Sequence, residues 1–151
     1  MTTITISEPK ESVCFEELKR IKKKNNGILQ AEKVVEEAKN KNSVLHSYFI
    51  WDDSIAAERY RVEQARTLIR GIVAYAVSEE NSQEIRGFVS LATDRRSEGG
   101  GYRYIVEILG NLSQRKQLIE DAKVDMQNFM NKYRTLKELD DVLGAIGKVL
   151  G

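Results

Sequence analysis

The sequence predicts an α+β protein: a helical N-terminal half, a small antiparallel sheet with a long hairpin, and two C-terminal helices. Three observations carry this reading. Apolar residues recur every three or four positions up to residue 70 and again from residue 113 onward. Between them, residues 71–109 shift to short, partly β-branched runs separated by polar and glycine-rich stretches. A single proline in 151 residues leaves long helices uninterrupted.

The first ten residues read as an extended segment closed by Pro9. Over 11–24, Val13, Phe15, Leu18 and Ile21 follow the helical period, and Asn25-Asn26-Gly27 supplies a breaker with a left-handed cap. Ile28 and Leu29 follow as core anchors. A second helix, 30–39, turns Val34, Val35 and Ala38 inward and breaks at Asn40-Lys41-Asn42-Ser43. The dense apolar segment 44–51 reads as a short helix or turn and holds the only Trp and the only His. Asp52-Asp53-Ser54 is an N-cap for the best-patterned helix, 54–70. On that helix Ile55, Val62, Ala65 and Ile69 are expected to be buried. Arg59, Glu63, Arg66 and Arg70 form a separate face, with Glu63 available as an intrahelical ion-pair partner.

Residues 71–77 read as a strand, 78–83 as a polar loop, and 85–93 and 101–109 as two further strands. The stretch 94–101 joins Asp94-Arg95-Arg96 to three consecutive glycines, Gly99, Gly100 and Gly101, and is expected to form a mobile hairpin arm. Helical spacing returns over 113–133, with Leu118, Ala122, Met126, Phe129 and Tyr133 in register. Thr135 and Glu138 match a capping box opening a last helix striped by Leu136, Leu139, Leu143, Ile146 and Leu150. The chain thus divides into an extended segment (1–10), a helical region (11–73), an antiparallel β region with its arm (74–110) and C-terminal helices (111–151), folded as one compact unit.

Composition narrows the function classes. A mass of 17.2 kDa fits one domain. Lys and Arg number 24 against 23 Asp and Glu, so bulk charge declares neither a histone-like nor a polyacidic protein. No window approaches the roughly 18 apolar residues of a membrane span, and the N-terminus lacks a signal-peptide pattern, so a soluble protein of the cytoplasm is expected. One Cys and one His leave no ligand set for zinc or iron–sulfur centres, and no cofactor is expected. Cys14 reads as a small apolar residue beside Phe15, and His46 as a satisfied structural histidine. Gly99-Gly100-Gly101 lacks the Lys-Ser/Thr of a phosphate-binding loop, and neighbouring carboxylates such as Asp52-Asp53 suit helix capping better than metal binding. No catalytic constellation emerges, so the protein is not expected to be an enzyme.

Basic clusters are the most informative chemistry. Lys22, Lys23 and Lys24 crowd one helix end, where cations also stabilise the helix dipole. Arg95 and Arg96 sit on the glycine-rich stretch, and Arg103 lies between Tyr102 and Tyr104. With the Arg59/Arg66/Arg70 face, these residues are candidates for gripping the phosphates or bases of DNA or RNA. The three N-terminal helical segments also allow a helix-turn-helix-like unit, a pattern shared by many non-binding folds.

One stretch carries a resemblance. Asn26-Gly27, Val34-Val35, Ala38, Leu45-His46, Phe49, Trp51-Asp52-Asp53, Ala56-Ala57, Tyr60-Arg61, Gln64-Ala65-Arg66 and Leu68-Ile69-Arg70 together resemble a group of small proteins of tailed bacteriophages and prophages. The resemblance covers residues 25–75, with a weaker echo at Gly101-Tyr102 and the helix after it. It implies a phage or prophage origin and a place in the host cytoplasm or the virion, and no mechanism. Where that group has Pro beside the Leu-His pair, this chain has Val44, which loosens the turn. The leading expectation is a non-catalytic accessory protein that binds nucleic acid or regulates a nucleic-acid process. The alternative is an oligomeric interaction or virion component that pairs with its own copies or a phage or host protein through Leu136, Leu139, Leu143 and Ile146. A continuous positive face favours the first, and a large uncovered apolar surface the second.

Overall fold

Ser12 opens the helical half. Its hydroxyl accepts the Phe15 amide at 2.9 Å and caps α1 (Val13–Lys24), as serine does at helix starts. The computed structural model describes residues 5–7 (backbone), 12–51 and 54–151. Cys14, Phe15, Leu18 and Ile21 turn inward from α1. Val13, expected on that stripe, is 67% exposed. The buried face centres on Leu18, and Val13, five residues earlier, lies about 140° away from it round the helix. The helix ends as its sequence predicts: Asn26 and Gly27 take φ of 57° and 83°, and the Gly27 amide reaches back to the Lys22 carbonyl at 3.0 Å.

The second helix, α2 (Ala31–Ala38), buries Ala31, Val34, Val35 and Ala38, and a 3₁₀ turn over His46–Tyr48 follows. Ser54 then caps α3 (Ile55–Gly71) by accepting the Ala57 amide at 3.1 Å. Ala65 and Ile69 are fully buried and Val62 half-buried. Asp52, Asp53 and the Ile55 side chain lie outside the described residues.

Three strands form an antiparallel sheet in the order β1 (Thr5–Ser7), β2 (Val73–Val77), β3 (Ser82–Arg86). The polar loop expected over 78–83 shrinks to a turn closed by the Ser78 amide on the Asn81 carbonyl at 2.8 Å, so Ser82 and Gln83 already belong to β3. The strand expected over 85–93 breaks at Gly87, whose amide binds the Ile72 carbonyl at 2.8 Å. Beyond it only β4 (Phe88–Val89) is extended, paired with β5 (Arg103–Tyr104).

The remaining expectations for this region need correction. The strand expected over 101–109 keeps only β5 and then coils into α5 (Ile105–Leu109), because Ile105 and Ile108 both face the core at helical spacing. β-branched composition misled there, since burial overrides local preference. The long hairpin forms as the antiparallel β4/β5 pair, but its connection packs on the fold instead of projecting as an arm. Residues 92–95 form a helical turn, α4 (Ala92–Arg95), whose Asp94 is buried. The glycines after it are held by the Gln30 amide, which donates to the carbonyls of Glu98 (3.2 Å) and Gly100 (3.1 Å). A pair of 2.8 Å backbone bonds then locks Tyr102 to Leu29.

Phe15, Phe88 and Tyr104 stack in tilted pairs 5.8 to 6.1 Å apart at the centre of the core. Such pairs add about 0.5–1.5 kcal/mol beyond their area burial. Asn111 caps the long α6 (Leu112–Tyr133) by accepting the Gln114 amide at 3.0 Å. A 3₁₀ turn over Lys137–Leu139 leads into α7 (Asp140–Leu150). The capping box expected at Thr135 and Glu138 does not form. The 3₁₀ turn moves the helix start to Asp140, and the capping position falls to Leu139, which has no side-chain bond to give. No residue of α6 or α7 is buried.

Candidate functional site: an arginine-lined cleft and an uncovered hairpin

Arg66 and Arg70, four residues apart on α3, share one face of that helix; Arg66 lines a cleft and Arg70 the hollow beside it. Arg95 of α4, Tyr102 and Gly99–Gly101 line the cleft with Arg66. The cleft has a volume of about 500 Å³ and also takes in Glu32 of α2. An adjoining hollow of about 390 Å³ shares Ser90, Arg95 and Tyr102 and adds Arg70, Arg86, Asp121 and Asp125. Carboxylates hold the guanidinium groups in place. Arg66 hydrogen-bonds Glu63 closely and lies 3.8 Å from Glu32. Arg70 donates to the Arg66 carbonyl at 3.2 Å and lies 3.9 Å from Glu63. Arg95 donates to the Ser90 carbonyl and lies 4.0 Å from Asp121. All three still reach solvent, with side chains 38%, 42% and 55% exposed. The cleft is therefore positioned for an anion, but its own acids offset much of its charge.

The other candidate cations do not join it. Arg103 gives both oxygens of Asp94 a hydrogen bond, at 2.7 and 2.8 Å. That carboxylate holds the Arg103 guanidinium above its usual pKa. Lys22 is buried, bonded to Glu107 and lying over the Tyr104 ring. Both residues thus bind the fold together and offer little to an outside partner. Lys24 and Arg20 share Glu37, at 2.6 and 2.8 Å. Their hydrogen bonds hold the Glu37 carboxyl below the usual carboxylate range, and Arg20 does the same to Glu17. Lys23, Arg59 and Arg96 are exposed, with no ion pair to another described residue. No continuous positive face results.

Arg61 was not singled out by its charge pattern, yet it is the arginine most deeply placed. It donates to the Ile50 carbonyl at 2.9 Å and to Glu58 at 2.7 Å, and lies 5.0 Å from the centre of the Trp51 ring. Its spacing of four from Ala65, itself four from Ile69, was the available signal for burial. Trp51 gives its indole N–H to the His46 carbonyl at 2.9 Å and stacks on the His46 ring, 4.9 Å away. The His46 Nδ1 donates to the Ala38 carbonyl at 2.8 Å, which makes it a structural histidine. Cys14 is buried, and burial pushes its thiol up.

The second feature is α7. Its charged residues are Asp140, Asp141 and Lys148 alone. Leu139, Leu143, Ile146 and Leu150, the stripe read from the sequence, are half-buried, and α7 packs on α6. Leu136 stays 44% exposed. On another side of α7, Val142 and Val149 are 49% and 55% exposed, with Ala145 exposed between them. The leucine-rich stripe marks only one side of α7, although a helix with so few polar positions signals burial on more than one side. Leu112 and Val124 of α6 add further exposed apolar surface.

Among the described residues, no group of three or more His, Cys, Asp or Glu side chains converges as a metal site requires. Nor is any helix among them long and apolar enough to cross a membrane. Comparison with protein-family models, curated proteins and solved structures finds no match to this chain.

Proposed function

We propose that this chain is a non-catalytic interaction component that assembles with other protein chains through its C-terminal hairpin, in the phage or prophage setting that residues 25–75 suggest. The observation that carries the reading is the two-sided apolarity of α7: α6 packs on one side, and among the described residues Val142, Ala145 and Val149 on the other stay exposed. Each Å² of such surface removed from water contributes about 25 cal/mol, so covering this row on two partners offers a few kcal/mol. The cleft arginines, offset by their own neighbouring acids, supply no comparable driving force. Sedimentation of the full chain over a range of concentrations tests it. The mass is expected to rise above 17.2 kDa with concentration and to stay there in a Val142→Ser/Val149→Ser variant. A wild-type chain that behaves identically to that variant overturns the proposal.

A second reading, binding of a nucleic-acid strand, rests on the convergence of Arg66, Arg70 and Arg95 around Tyr102. An Arg66→Ala/Arg70→Ala/Arg95→Ala variant is then expected to bind single-stranded DNA or RNA less tightly. Its salt slope should fall by about one unit per lost phosphate contact. An unchanged slope eliminates this reading.

A further inference from the structure

We infer that the uncovered face of α7 pairs with the α7 of a second copy of this chain, antiparallel, about a two-fold axis passing between Val142 and Ala145. This rests on the assembly reading and specifies its partner and geometry. Val142 and Ala145, three apart, take the two core positions of a coiled-coil repeat and face each other across that axis, while Val149 opens the next repeat and lies at the edge of the seam. Asp141 and Lys148 occupy the same flanking position of that repeat, seven residues apart, opposite in sign and both exposed.

Orientation follows from those two charges. When identical helices run antiparallel with Val142 against Ala145 of the second copy, the residue just before Val142 lies beside the residue three beyond that Ala145. Asp141 therefore meets Lys148 of the second copy, and symmetry makes the same pair again at the other end. In a parallel pair, the flanking position of one helix faces the position of Ile146 on the other, and neither charge finds an opposite. Ala145 is small enough to let the two backbones approach at the crossing. A seam of this length gives a weak, reversible dimer.

Sedimentation of the full chain and three charge variants tests the geometry. Asp141→Lys and Lys148→Asp each place like charges together at both ends of the seam and are expected to weaken dimerisation roughly tenfold. Asp141→Lys/Lys148→Asp restores opposite signs and is expected to recover the wild-type constant. A second measurement uses disulfide trapping in a Cys14→Ala background. Mixing Val142→Cys with Ala145→Cys chains should give the mixed disulfide. Val149→Cys alone should not link to itself, because a rise of about 1.5 Å per residue separates the two copies by about 16 Å along the axis. A dimer indifferent to the charge variants, or rapid self-linking of Val149→Cys, overturns this geometry and leaves assembly standing. A wild-type chain that stays monomeric overturns both.

Discussion

Replacing Asp94 with Ala should destabilise the protein by about 2–4 kcal/mol. The magnitude comes from the geometry of one ion pair. The Asp94 side chain is 8% exposed and accepts two hydrogen bonds, at 2.7 and 2.8 Å, from an Arg103 side chain that is 22% exposed. Charge-assisted bonds of this kind contribute roughly 1.5–3 kcal/mol each. Arg103 retains some access to water, which brings the loss below the sum of two such bonds. Trp51, the only tryptophan, provides the fluorescence signal for urea unfolding. With a slope of about 1–3 kcal/mol per molar urea, the midpoint should fall by roughly 1–2 M. Arg103→Met and the double variant complete a cycle, and the coupling should exceed about 1 kcal/mol because the residues touch. Additive single effects, or a loss under about 0.5 kcal/mol for Asp94→Ala, would show that this pair does not hold the segment between β4 and β5.

Trp51→Ala should cost about 3 kcal/mol in thermal or urea unfolding, the low end for a large aromatic residue because the ring is only half-buried. Gly101→Ala should destabilise by roughly 2 kcal/mol or more: φ is 147° there, and a Cβ would overlap Ile28 Cγ2. A gain in stability would contradict the packing of the glycine segment on Ile28. The Glu17 and Glu37 carboxyls are held below their ordinary value of about 4.3 by Arg20 and Lys24. Their contribution is therefore present above that value and lost as pH falls through the lower folded-state value. Stability measured from pH 6 down to pH 3 should decline less in Glu37→Gln than in the wild type, by a fraction of a kcal/mol because these groups reach solvent.

Much of the helical architecture was legible because apolar spacing and caps agreed. Ser54, Asn26-Gly27 and the Ala65/Ile69 row all act as their sequence signals indicate. The middle of the chain was less legible. Ile105-Val106 has strand composition, but tertiary burial of Ile105 and Ile108 selects a helix. Gly99–Gly101 suggests freedom, yet Gln30, nearly seventy residues earlier, fixes its carbonyls, and no local rule reaches that far. The arginine candidates divided for the same reason. Their partners, Asp94, Glu107 and Asp121, are contributed by other turns of the fold, and sequence spacing does not place such acids beside Arg103, Lys22 and Arg95.

One consequence of α6 concerns orientation. Over its first half the helix addresses the body: Gln117 accepts the Thr93 hydroxyl, Leu118 packs on the core, and Asp121 accepts the Ala92 amide at 2.8 Å. Farther along, beyond Asp125, the half-covered residues are Met126, Met130 and Tyr133, on the stretch that carries α7. One continuous helix thus joins the body to the hairpin, and its residue count sets the angle between them. Adding one residue just after Asp125 would turn the hairpin by about 100° relative to the body while leaving the α6 side chains that face the body where they are. The direction in which this chain presents its coupling surface is therefore written in the length of α6, separately from the residues that make the coupling.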